Sequence, residues 1–93
     1  MTDEEMLRAL HSVGFAAFVA HFDIFDGPLS NADATARLQE RTAWTAAGCR
    51  TRVNRARAVL DAGRKADAYD LIARSERTTD AARSRARALL ATI

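Results

Sequence analysis

The stretch CRTRVNRARAVL, residues 49–60, sets four arginines, a threonine and an asparagine among apolar residues at helical spacing. These side chains share one chemistry. Asparagine can make paired hydrogen bonds to adenine, arginine to guanine and threonine to either, while further arginines neutralise phosphates. On a helix, Ala46, Cys49, Val53, Ala56 and Leu60 follow at steps of three and four and form one apolar stripe that faces a core. At 100° per residue, Ala47, Thr51, Asn54 and Arg55 fall opposite that stripe, with Arg50, Arg52 and Arg57 flanking it on long stems. The small residues at 47 and 48 would let another surface approach this helix closely. The bland alternative is a basic, solvated helix face, since arginine is also a good helix former.

Other chemistry has little to stand on. Catalysis needs a nucleophile beside a base or two carboxylates in a pocket, and the chain offers Cys49 on an apolar stripe, His11 and His21 ten residues apart, and Asp23 and Asp26 near a helix end. The expectation is therefore a protein that is not an enzyme, with Cys49 a small buried hydrophobe and His21 partly buried beside aromatic residues. One cysteine and two separated histidines give no zinc spacing, and four dispersed glycines give no nucleotide loop, so no metal or cofactor is expected.

The elements that must position the arginine-rich segment can be read from composition and caps. Ninety-three residues with one proline and few strand formers point to an all-α domain over 1–93, a compact bundle of about five helices. TDEE is a capping box that starts a helix at Asp3, weakened near Gly14. Beyond it, Phe15, Phe18, Val19, Phe22 and Phe25 share one face until Asp26, Gly27 and Pro28 end the helix, a stripe suited to a core or to a partner groove. Ser30 caps a short helix from Asn31 to about Gln39, packing through Ala32, Ala36 and Leu38 or near neighbours. After a break at Glu40–Trp44, Thr45 caps the helix from Ala46 to about Ala62, with Trp44 expected to pack on Cys49 as a hydrophobic staple. Gly63 stops it; a shorter helix over RKADAYDLIARS buries Ala68, Leu71 or Ile72 and part of Tyr69. A last helix from about Thr79 presents Ala82, Ala86, Leu89, Leu90 and Ile93, a candidate surface for a homodimer.

Charge divides unevenly. Residues 1–40 carry two arginines against seven acids, a net of −5, and residues 41–93 carry twelve basic residues against five acids, a net of +7. Such asymmetry suits a side that meets a polyanion, or equally an acidic protein patch. No apolar run reaches membrane-spanning length and the N-terminus is acidic where a secretory signal would be basic, so the expected location is cytoplasmic, with no membrane partner.

LSNADATARLQERTAWTAAGCRTRVNRARAVL, residues 29–60, resembles the helix-turn-helix of bacterial transcription proteins, in particular the last DNA-binding region of sigma factors and related regulators. Arg52, Val53, Arg55, Ala56, Arg57 and Leu60 match the family's ending in register. The resemblance covers about a third of the chain and implies a helix-turn-helix unit within residues 30–62. In it, Ala32–Gln39 would be the supporting helix and Ala46–Leu60 the reading helix. Thr51, Asn54 and Arg55 would face bases of double-stranded DNA, and Arg50, Arg52 and Arg57 would contact phosphates, joined by Arg41 from the turn. The turn departs from the family pattern, since Glu40–Trp44 is longer and lacks glycine. A competing expectation is an antiactivator or adaptor that uses the same variant unit to bind a transcription-factor protein. The acidic first half and small total charge suit it. A third reading takes residues 55–75 as a helical hairpin like one tetratricopeptide unit, which the lack of a second repeat disfavours.

Overall fold

In the computed structural model, which describes residues 1–93, caps and apolar spacing produce seven helices and no strand. Thr2 and Glu5 close the capping box that opens α1 (Asp3–Val13): the Glu5 amide donates to Thr2 Oγ1 at 3.1 Å, and the Thr2 amide donates to Glu5 Oε1 at 2.9 Å. Gly14 ends α1 at φ +92°, a conformation that costs a residue with a Cβ. The phenylalanine segment then divides into α2 (Phe15–Ala20) and α3 (Phe22–Phe25), with His21 between them. This division, together with the stop at Gly14, turns the expected five helices into seven. It also changes which side chains are inside: Phe18, Val19, Ile24 and Phe25 are buried, whereas Phe15 and Phe22 are only partly covered.

Ser30, Thr45 and Thr79 each accept a hydrogen bond from the backbone amide three residues on, opening α4 (Asn31–Arg41), α5 (Ala46–Asp61) and α7 (Asp80–Leu90). Between the last two lies α6 (Lys65–Arg74). Two of the expected faces are displaced. Helix α4 buries Ala34 and Leu38, four residues apart, and leaves Ala32 and Ala36 exposed. Helix α5 buries Cys49, Val53, Ala56 and Val59, so the stripe turns toward Val59, with Leu60 at its margin and Ala46 in solvent.

Helix α5 is the axis of the molecule, packed mainly against α1 on one side and α4 on the other, while α7 packs on α6 and α2. The 20 buried residues form one continuous cluster drawn from all seven helices, and the Cα radius of gyration is 12.2 Å. That value matches the roughly 12 Å expected of a compact chain of this length. The apolar stripe of the last helix is used here: Ala82, Ala86 and Leu89 are buried within the chain, and only Ile93 stands well exposed. The candidate dimer surface is thus part of the intramolecular core. No helix is long and apolar enough to cross a membrane.

Cys49 has no exposed surface, and its Sγ lies 3.7 Å from Thr42 Oγ1. A thiol so enclosed should resist a thiol-reactive dye in the native protein and react fully in denaturant; labelling at the free-thiol rate under native conditions would mean that α5 does not pack as described.

Candidate functional site

The unit that holds the arginine-rich helix is α4, a connection and α5. Because α4 continues through Glu40 and Arg41, the connection is only Thr42–Thr45, four residues, shorter than the sequence suggested. A turn of that length is within the usual range for helix-turn-helix units. Thr42 organises it. Its hydroxyl donates to Leu38 O at 2.9 Å, satisfying a carbonyl at the end of α4, and accepts from the Trp44 amide at 3.4 Å.

The seven candidate residues separate into two groups. Arg50, Thr51, Asn54 and Arg55 are exposed on α5, and none makes a side-chain hydrogen bond or ion pair within the chain. Arg50 with Asn54, and Thr51 with Arg55, are i,i+4 pairs, so the four make two adjacent rows on one face. Asn31, Ala32 and Thr35 at the start of α4 border the Arg50–Asn54 row across a shallow groove of about 370 Å³. Arg8, Ser12 and Ala9 of α1 border Arg55 and Ala58 on the other flank.

The other three are engaged inside the molecule. Arg41 clasps Asp23 with both guanidinium nitrogens, at 2.9 and 2.7 Å, joining the last turn of α4 to α3. The hydrogen bonds from Arg41 hold the Asp23 carboxyl below its ordinary pKa, and Asp23 in turn raises that of Arg41. Arg57 reaches across to the end of α3. Its Nε donates to Phe25 O at 3.2 Å, its two Nη groups to Ile24 O at 3.2 Å, Gly27 O at 3.5 Å and Asn31 Oδ1 at 2.7 Å. Within the backbone only the Ile24 carbonyl of these three finds a donor, the Gly27 amide at 3.3 Å, and the guanidinium fork supplies the Phe25 and Gly27 carbonyls as well.

Arg52, three residues before Arg55, is half-buried beside the exposed rows. Its guanidinium carbon sits 3.9 Å from the centre of the Trp44 ring, and one Nη donates back to Gly48 O at 3.2 Å. Gly48 permits this arrangement: a Cβ there would lie 3.2 Å from both the Arg52 guanidinium and Thr45 Oγ1. The small residue near the helix start therefore admits the helix's own arginine, where the sequence suggested an outside surface. Trp44 is partly buried against Arg52 and, edge-on at 5.9 Å, His21. Trp44, expected to pack on Cys49, lies against the core cluster that contains Cys49 and also stacks on Arg52, with Thr42 beside the thiol. Burial, reinforced by the Arg41 charge and opposed by Asp23, depresses the His21 pKa and favours its neutral ring.

Ion pairs between the halves also account for part of the charge asymmetry. Arg41 pairs with Asp23, Lys65 with Asp26 at 2.9 Å, and Arg64 with Asp3, so acids of the first half meet cations of the second. Arg64 also donates to Met1 O at 2.7 Å, tying the N-terminus to the α5–α6 turn. Nothing local in the sequence marks these ion pairs, whose partners lie 18 to 61 residues apart. No three His, Cys, Asp or Glu side chains converge to hold a metal ion. No family model, curated protein or solved structure matches the chain.

Proposed function

We propose that the protein is a small transcriptional regulator that binds double-stranded DNA through the exposed face of α5. The observation that carries this reading is the grouping of Arg50, Thr51, Asn54 and Arg55 on one unpartnered helix face, behind a four-residue turn from α4. The resemblance of residues 29–60 to bacterial helix-turn-helix proteins supports it. Thr51, Asn54 and Arg55 take the base-facing role and Arg50 the phosphate role. Arg41, Arg52 and Arg57, which have intramolecular work, drop out of the DNA contacts.

The consequence is a weak electrostatic component. With Arg50 the one phosphate contact on the face, binding of labelled duplex followed by anisotropy should fall with salt at a log–log slope of about −1, from roughly −0.9 per contact. Arg50→Ala should flatten that slope for all sequences alike. Asn54→Ala should cost about 1–3 kcal/mol at a preferred site and relax the preference there. Absence of binding to random and genomic duplexes at low salt would sink the DNA reading.

A second reading is favoured by one specific observation, the small number of arginines left free on α5. A face with two charges, one amide and a hydroxyl, flanked by Ala47 and Ala58, also suits a transcription-factor protein, as an adaptor or antiactivator would require. Recovery of one regulator protein from extract, lost on Asn54→Ala or Arg55→Ala, in the absence of DNA binding, would select it.

A further inference from the structure

A cleft lies where the α4–α5 turn, the α1–α2 junction and the segment before α7 meet. Its volume is about 720 Å³, within the range of small-molecule sites. One side is apolar and aromatic: Phe15, whose ring stacks on His11 at 5.1 Å between centroids, with Val13, Ala17 and Trp44. The lining also carries charge from Arg52 and Arg77, with Glu76 its one acid.

Arg52 is held in place without being neutralised. No carboxylate pairs with it, its single hydrogen bond is to Gly48 O, and its Nε is shut off from solvent with no acceptor in the chain. Trp44 fixes the guanidinium plane from one face. The charge Arg52 brings to the cleft is unneutralised, which favours an anionic ligand on its remaining guanidinium N–H groups. Arg77, exposed on the same lining, also has no side-chain partner. The aromatic side gives no contact that a bare inorganic anion could use, and would instead cover a ring.

We infer that this cleft binds a small aromatic carboxylate, with its carboxylate held by Arg52 and Arg77 and its ring against Phe15, His11 and the edge of Trp44. Such a ligand bridges the α4–α5 turn to the segment before α7. None of Arg50, Thr51, Asn54 and Arg55 lines the cleft, and the ligand does not depend on what that face binds.

Trp44 is the sole tryptophan and reports the site directly. Titration with benzoate should change its fluorescence saturably and raise the melting temperature, as ligand binding to the native state requires. Neutral benzamide, acetate and inorganic phosphate should each bind far more weakly. Arg52→Gln should weaken benzoate by about tenfold or more, the loss expected of one charge-assisted hydrogen bond. Arg77→Glu, on an exposed position that the fold does not use, should weaken it comparably and decides the matter if Arg52→Gln fails to fold. No saturable response to benzoate overturns the inference. Benzamide or phosphate binding as tightly as benzoate overturns the ligand class, and unchanged affinity in both variants overturns the assigned anchors.

Discussion

Replacing Arg57 by alanine should lower stability by about 3 kcal/mol, which in a domain of this size shifts the melting temperature by roughly 12–24 °C. Four acceptors lose a donor at once: the carbonyls of Ile24, Phe25 and Gly27, and Asn31 Oδ1. The loss is less than the sum of four charged hydrogen bonds because the side chain is only partly buried and water reaches some of these groups. It exceeds the effect of an ordinary surface change because the fork spans α5, the end of α3 and the start of α4. Arg57→Lys should recover only a minor part, since one ammonium cannot reproduce a planar fork that meets four acceptors. Arg50→Ala and Arg55→Ala, with no partners to lose, should stay within about 0.5 kcal/mol of the parent. Thermal and urea unfolding followed by circular dichroism measure all four. An Arg57→Ala variant as stable as Arg50→Ala would return Arg57 to the free basic face.

Phe18→Ala should cost about 3–5 kcal/mol, the range for emptying a fully buried aromatic position. Phe18 is 1% exposed, with its ring centre 6.3 Å from that of Phe25 and 5.8 Å from that of Tyr69. It therefore joins α2 to α3 and α6 at once. The cavity would open next to Tyr69, whose phenol is pushed up to about 12 by burial. Against a total stability of roughly 5–15 kcal/mol, this variant should be near the edge of folding at room temperature. Phe22→Ala is the internal comparison, because Phe22 is only partly covered and should cost distinctly less. Equal losses at the two positions would contradict the division of the phenylalanine stripe at His21.

That division shows where local pattern stops being informative. The caps at Thr2, Ser30 and Thr45 were legible because each needs only a side chain and an amide three residues away. The all-helical class was legible for the same kind of reason, as was burial of Cys49, Val53 and Ala56, which share one period. Periodicity could not say that α5 would rotate toward Val59, or that α4 would bury Ala34 in place of Ala32 and Ala36. Those choices depend on where α1 and α4 lie against α5.

For the candidate site, the sequence by itself determined that Thr51, Asn54 and Arg55 would stand on the outer side of an amphipathic helix, because 100° per residue puts them opposite its apolar stripe, whereas Arg50 was one of three arginines flanking that stripe. Only the tertiary structure decided what the remaining arginines do. Arg41 meets an aspartate 18 residues away, and Arg57 meets carbonyls 30 to 33 residues away; neither separation has a local signature. The same holds for Arg52, whose stacking on Trp44 and absence of a carboxylate partner depend on how the turn, the α1–α2 junction and the segment before α7 close around it. A guanidinium on a long stem can reach many places, and which one it takes is settled by the acceptors that packing brings within its range.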